Sequence, residues 1–321
     1  MTIFHLFSLL GGLGLFLYGM WIMREHLQAA AGIRMQHILG RMTATRLRGF
    51  LAGIGITAVL QSSSAVMVLL VGLTDAGILS LQQVIGVILG ANIGTTITCQ
   101  LIALDAEGFA PLLAFAGIML LLFAPKEQWK RRGGILAGIG VMFIGLTMMG
   151  DAVRPLEQEK WCLEILAACK HPAAGIFAGT LVTAALQSSS ASIAILQTLA
   201  KQGLTNIHQS IYIVFGQNMG TCVTGLLAAA GAGVHARQTA VVHLMVNVIG
   251  AVLFLILAWL LPVCNWVEAL APGDGARQIA DIHTIFNIVT SLALLPAAGC
   301  LAELSQKLVP ERRNTTGRKQ F

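Results

Sequence analysis

The segment TAVLQSSSAVMVLL at residues 57–70 returns as TAALQSSSASIAIL at residues 183–196. Gln61 and Gln187 are 126 positions apart, and the offset holds without a gap over a long stretch. Gly49 maps to Gly175, Gly53 to Gly179, Thr57 to Thr183 and Gly77 to Gly203. GANIGTT (90–96) maps to GQNMGTC (216–222), and GLGLFLYGM (12–20) to GIGVMFIGL (138–146). Chance likeness between apolar segments does not align polar and glycine positions in this way. The chain must build one structural unit twice.

Both units are apolar enough for lipid. Of 321 residues, 56% are hydrophobic and 11% are charged, where a soluble domain carries about 25% charged residues. Apolar segments fall at 3–23, 49–72, 78–103, 109–124, 133–150, 173–200, 208–230, 237–262 and 279–303. Most approach the roughly 20 residues that a helix needs to cross a hydrocarbon core of about 30 Å. The expected fold is therefore an all-α integral membrane protein. The net charge of +6 sits largely in short loops beside apolar segments, which is a topology signal rather than a nucleic-acid footprint. The first segment has no basic leader and recurs internally, so it reads as mature structure. Cys99, Cys162, Cys169, Cys222, Cys264 and Cys300 form no CxxC pair. On a helix, Cys162 and Cys169 stand about 10 Å apart, too far for a disulfide.

The basic clusters predict topology. Arg24, Arg34, Arg41, Arg46 and Arg48, then Lys126, Lys130, Arg131 and Arg132, then Lys307, Arg312, Arg313, Arg318 and Lys319 mark three cytoplasmic regions. Loop 150–172 and Asp105–Glu107 read as external. Segment 3–23 then runs inward and its mate 133–150 outward, so the repeats are inverted. Parity leaves one non-crossing segment in each half. Segments 49–72 and 173–200, polar in the middle, are predicted to be re-entrant helical hairpins with QSSS tips, beside about seven crossing helices. Stretch 24–48 reads as an interfacial helix. The organisation expected is repeat 1 at 1–130, inverted repeat 2 at 131–260, an extra C-terminal transmembrane helix at 261–305 and a basic cytoplasmic tail at 306–321. Inverted repeats with broken helices around a midplane site are a transporter arrangement.

The tips offer Gln61, Ser62, Ser63, Ser64, Gln187, Ser188, Ser189 and Ser190. Their hydroxyls, amides and helix N-termini are donors for an oxyanion, and their oxygens suit sodium. Serines in membrane helices also serve close packing or back-bond to a carbonyl, but polar groups at depth are costly, and here the whole block is repeated. Asn92, Thr95, Thr96, Asn218 and Thr221 are further candidate ligands, or else flank a glycine-mediated helix contact. His243 with Asn247, and His283 with Asn287, each share a helix face. They read as interhelical hydrogen-bond partners, a proton relay or part of a substrate path.

On its two QSSS blocks and paired G-x-N-x-G-T blocks, the chain resembles the type II sodium–phosphate cotransporter family over about residues 10–305. The resemblance implies a transporter rather than an enzyme, moving inorganic phosphate with Na+ as coupling ion and no organic cofactor. It implies that the eight QSSS residues form the phosphate and sodium site. Three departures stand out: Ala65 and Ala191 follow QSSS where the family often has a hydroxyl, and Cys222 replaces the threonine seen at Thr96. The H-x-x-F-N-like element of His283–Asn287 has no counterpart in the 109–123 segment after the first G-x-N-x-G-T block. The compact 150–172 loop and the lack of a long soluble tail suggest a bacterial member in the cytoplasmic (inner) membrane. Other readings are transport of another oxyanion such as sulfate or arsenate, a channel, or an intramembrane hydrolase pairing a serine with His243 or His283. A duplicated serine triplet with no aspartate placed to orient a histidine argues against the hydrolase.

Overall fold

The computed structural model describes residues 3–31, 45–104 and 106–310. Arg34 and Arg41 of the expected interfacial stretch, Asp105, and the basic tail from Arg312 onward lie outside the described residues. Helix α1 spans Ile3–Ala31 and so carries the first half of that stretch, including Arg24 and Leu27. There follow α2 (Arg46–Leu60), α3 (Ser63–Asp75), α4 (Leu81–Ile102), α5 (Ala110–Phe123) and α6 (Glu127–Val153). The second half holds α7 (Lys160–Ala168), α8 (Pro172–Leu186), α9 (Ser189–Lys201), α10 (Ile207–Gly220), α11 (Cys222–Ala229) and α12 (Val234–Leu260). The chain closes with α13 (Val263–Leu270), α14 (Gly275–Leu294) and α15 (Ala298–Leu308). No strand occurs among the described residues. Shifted by 126 positions, the bounds of α2 and α3 fall on those of α8 and α9.

Glycine contacts set the helix directions. A Cβ on Gly12 would meet Gly145 O at 2.8 Å, and one on Gly19 would meet Gly138 O at 2.6 Å. So α1 and α6 pack antiparallel. Gly138 and Gly145 are the repeat mates of Gly12 and Gly19, so each glycine touches the mate of the other. Such reciprocal contact is what a two-fold axis produces. Helices α2 and α4 instead run parallel: Gly86 abuts Arg46 O, Gly90 abuts Phe50 O, and a Cβ on Gly94 would meet Ile54 O at 2.7 Å. Helices α8 and α10 repeat this register, with Gly216 on Ile176 O and Gly220 at 2.7 Å from Thr180 O. The chain leaves α2 level with the far end of α4 and re-enters α4 at its start. Helix α3 must therefore run back between them, which makes α2 and α3 a helical hairpin; the same argument makes one of α8 and α9. A 15-residue helix is about 22 Å long, short of a bilayer core of about 30 Å.

Among the described residues, five helices are long and apolar enough to cross a membrane, or seven if two bent pairs count as spans. Two expected crossings differ. Helix α5 has 14 residues, about 21 Å. The 261–305 segment, read as one helix, holds three, and α14 and α15 meet at a bend of 85°. Pro296 lies in that break, where it removes a backbone donor and clashes with the preceding turn. Exposed Phe4, Phe7, Tyr18 and Trp21 line α1, as suits a helix facing lipid and headgroups.

The glycine contacts generate a stability test. Gly90→Ala and Gly216→Ala each push a methyl into a backbone carbonyl and should cost about 1–3 kcal/mol. Gly55→Ala, with nothing within 4 Å of its Cβ, should be neutral or gain up to about 1 kcal/mol of helix propensity. Thermal unfolding in detergent separates the two classes.

Candidate functional site

Each QSSS block is a helix break of the same design. Gln61 ends α2 with φ 51 and ψ 28, and Gln187 ends α8 with φ 51 and ψ 24. Among the described residues these are the non-glycine positions with positive φ. An L-residue there costs roughly 1–2 kcal/mol that glycine would avoid. Strain at such a position points to a demand for the side chain itself. Gln61 meets one: its Nε2 donates to Ala58 O at 2.6 Å, and its Oε1 accepts a short hydrogen bond from Thr98 Oγ1. In the second half Thr224, the mate of Thr98, donates to Thr221 O at 3.0 Å instead, and Gln187 is exposed.

The first serine of each block is an extended N-cap. Ser62 Oγ accepts from Ala65 N at 3.2 Å and starts α3; Ser188 Oγ accepts from Ala191 N at 3.3 Å and starts α9. The alanines that replace the family's frequent hydroxyl thus present only a backbone N–H, and the cap uses it. The second and third serines, Ser63, Ser64, Ser189 and Ser190, fill the first turn. Their amides belong to the set that no helical carbonyl satisfies. Each tip therefore offers free N–H groups, hydroxyls and the positive end of a helix dipole to an anion.

The G-x-N-x-G-T blocks divide by residue type. The glycines make the close helix contacts just described. Thr95 and Thr96 donate to Ala91 O and Ile93 O, and Thr221 to Asn218 O. Their hydroxyl protons are thus committed to their own helices, while each oxygen keeps acceptor capacity. Asn92 is buried. Asn218 Nδ2 donates to Val214 O at 2.9 Å, which turns its Oδ1 towards His283 Nε2 at 3.3 Å. His283 Nε2 must then carry the proton, so Nδ1, 3.1 Å from Cys99 Sγ, accepts from the thiol. Gln197 of α9 donates to Cys99 O at 3.1 Å and Ala276 O at 3.0 Å. This bridge joins repeat 1, repeat 2 and α14 in one network. Stacked Phe215 and Phe286, with ring centroids 5.0 Å apart, hold α14 against α10 beside it.

Cys99, His283 and Asn218 have the order of a nucleophile, base and orienter. Cys99 and His283 are, however, buried, and their facing atoms are engaged with each other and with Asn218, which leaves neither a free group for a substrate. Neither His243 nor His283 hydrogen bonds to a QSSS serine, so the serine–histidine pairing of the hydrolase reading does not form among the described residues. A cavity of about 210 Å³ opens at the far end of α9, lined by Ile102, Leu104, Gln197, Lys201 and Asp274. The Lys201–Glu107 ion pair (2.9 Å) ties the two repeats together there. Gln197, the cavity residue of α9 nearest the tip, is eight residues, or roughly 12 Å, from Ser189, so the cavity is distinct from the tip.

Sequence reasoning missed Thr57 and Thr183. They are repeat mates, they are at most 1% exposed, and the Oγ1 of each has no hydrogen-bond partner. Each packs on the second glycine of its G-x-N-x-G-T block, Gly94 or Gly220. A buried polar atom left unpaired costs about 1–3 kcal/mol, and here the same one is left in both halves. The signal was in the alignment, where both threonines stand four residues before the glutamine.

Paired hairpins, matched helix N-termini and several apolar helices long enough to span define a multi-pass, all-α membrane protein built from two similar halves. The sequence pattern described as Na+/Pi-cotransporter matches residues 15–151 and again 144–270, and the chain belongs to that family. The uncharacterized protein YqeW of Bacillus subtilis is 33% identical over 298 residues, 92% of this chain and 96% of that protein. "Putative inorganic phosphate export protein YjbB" of Escherichia coli K12 is 25% identical over 316 residues, 96% of this chain but 56% of that protein. Sodium-dependent phosphate transport protein 2A of Rattus norvegicus is 41% identical over 59 residues, 18% of this chain and 9% of that protein. No solved structure shows a significant match.

Two substitutions test the local chemistry. Thr98→Val leaves Gln61 Oε1 buried and unpaired and should cost about 1–3 kcal/mol. Thr224→Val, at the matching place, should cost less, because no distant side chain depends on it. Thermal unfolding of the two variants side by side checks the difference.

Proposed function

We propose that the protein is a sodium-coupled transporter of inorganic phosphate in a bacterial cytoplasmic membrane. Phosphate is held between the two QSSS tips by Gln61, Ser62, Ser63, Ser64, Gln187, Ser188, Ser189 and Ser190. The observation that carries this reading is the pair of identical helix breaks, each presenting unsatisfied N-terminal amides and two first-turn serines. No Arg, Lys, Asp or Glu lies in 57–64, 90–98, 183–190 or 216–224. An anion entering a site without fixed cations needs a mobile one, and sodium supplies that charge. Unpaired Thr57 and Thr183 oxygens, with the acceptor oxygens of Thr95, Thr96, Thr221 and Asn92, are the hard ligands that sodium takes.

The basic 126–132 segment sets the cytoplasmic side. Repeat 1 (1–130) and repeat 2 (131–260) are then inverted, and one hairpin enters from each face. Alternating access rocks the hairpin-bearing elements about the α1–α6 axis, and the cavity by Gln197 lies on the outer path. Transport of a related tetrahedral oxyanion is the second reading, because the same donors fit sulfate or arsenate. The driving gradients set the direction of net flux, so one site serves uptake or export.

Radiolabelled phosphate uptake into proteoliposomes tests the reading, with and without an inward sodium gradient. Saturable, sodium-dependent uptake is expected, and loss of it in the Ser63→Ala plus Ser189→Ala variant. Sodium-independent uptake would remove the coupling, and sulfate preference would change the substrate. A second test uses the orphan hydroxyls. Thr57→Val and Thr183→Val remove no hydrogen bond, so the ligand-free protein should keep or gain stability. Each should weaken the sodium dependence of uptake several-fold; unchanged sodium activation would clear both threonines of a role.

A further inference from the structure

Two buried histidines pack in matching places, one against each half. His283 of α14 lies over Cys99 of α4. His243 of α12 lies over Gly225 of α11, and Gly225 is the repeat mate of Cys99. Each histidine carbonyl accepts the Nδ2 of an asparagine one turn later, from Asn287 at 2.8 Å and from Asn247 at 3.0 Å. The match ends at the ring nitrogens. Both nitrogens of His283 are engaged, by Cys99 and Asn218. His243 is 1% exposed, yet its Nδ1 has no hydrogen-bond partner.

What separates the two is a missing side chain. A Cβ on Gly225 would stand 3.7 Å from His243 Nδ1 and 3.6 Å from Met67 Cε. The thiol that Cys99 brings to the ring nitrogen in one half has no counterpart at Gly225 in the other, where Met67 packs instead. Met67 lies on α3, one helical turn after Ser63 and Ser64. Across the Gly225 position the free nitrogen therefore neighbours Met67, one helical turn from the opening serines of the first hairpin.

We propose that His243 is a substrate contact, with Nδ1–H donating a hydrogen bond to the oxyanion held at the amino end of α3. The inference rests on the phosphate-transport reading. A neutral imidazole N–H suits a site that carries no fixed cation: it adds a donor without adding charge. Gly225 leaves that donor without the partner that Cys99 gives His283. His283, tied on both sides, positions the helices instead.

Gly225→Ser tests this, because a serine Cβ fits at ordinary contact distance and its hydroxyl oxygen can accept from Nδ1–H and so occupy the donor. Gly225→Ala fills the space without offering a partner. The full chain is assayed by phosphate uptake in proteoliposomes and by the thermal shift that phosphate produces in detergent. Gly225→Ser should raise the phosphate KM roughly tenfold or more at little-changed maximal rate, with a proportionate loss of the thermal shift. His243→Gln should raise KM similarly, and Gly225→Ala less. A Gly225→Ser protein that melts higher but keeps its KM would overturn the proposal and leave His243 a packing residue. A wild type with no response to phosphate in either assay overturns the phosphate reading first; that failure is told apart because it involves no variant.

Discussion

Close backbone contact at glycine underlies everything else in this fold. In lipid there is no hydrophobic drive to bring one apolar helix onto another, so association depends on van der Waals contact at short range. Gly90 on Phe50 O and Gly216 on Ile176 O bring α4 and α10 onto α2 and α8 without an intervening side chain. That register puts Gln61 level with Thr98 and creates the hairpins. The same device at Gly12, Gly19, Gly138 and Gly145 sets the two halves about a common axis. Without these approaches the serines at the tips would have no fixed place.

The site then follows from how the hairpin turns. Glycine would be the easy residue at a left-handed helix end, and this chain uses glutamine twice. One glutamine is held by Thr98 and buried; the other is exposed. The helix breaks match, while the side chains around them do not. Cys99 against Gly225, and Thr98 against Thr224, give the halves different hydrogen bonding on a shared backbone plan. A transporter built from two copies needs a common frame for exchange of states, and unequal contacts to set which state is favoured.

Much of this was legible in the residues. The gapless 126-residue offset foretold helix bounds that repeat from α2 and α3 to α8 and α9. Polar blocks inside apolar segments foretold the breaks, and serine before a helical run is an N-cap signal. Other parts were not legible, for physical reasons. The left-handed glutamines run against residue preference. The unpaired threonine hydroxyls are visible only once every neighbour is placed. The bend after α14 needed Pro296 to be weighed against an apolar run long enough to cross. Above all, the bridge from Cys99 to His283 joins residues 184 positions apart, a contact that no local pattern announces. The first half carries no histidine element after its G-x-N-x-G-T block, and α14 brings one to it from beyond the second.

That arrangement has a consequence for biogenesis. Ribosomes release the amino-terminal half first, and α1 to α4 can reach the bilayer while the rest is still being made. Cys99 then waits for a partner that is encoded near the end of the chain. The first half gains its Cys99–His283 contact only when α14 inserts. Assembly order and sequence order therefore part company at this point: a residue on one of the earliest helices to be made is among the last to find its partner.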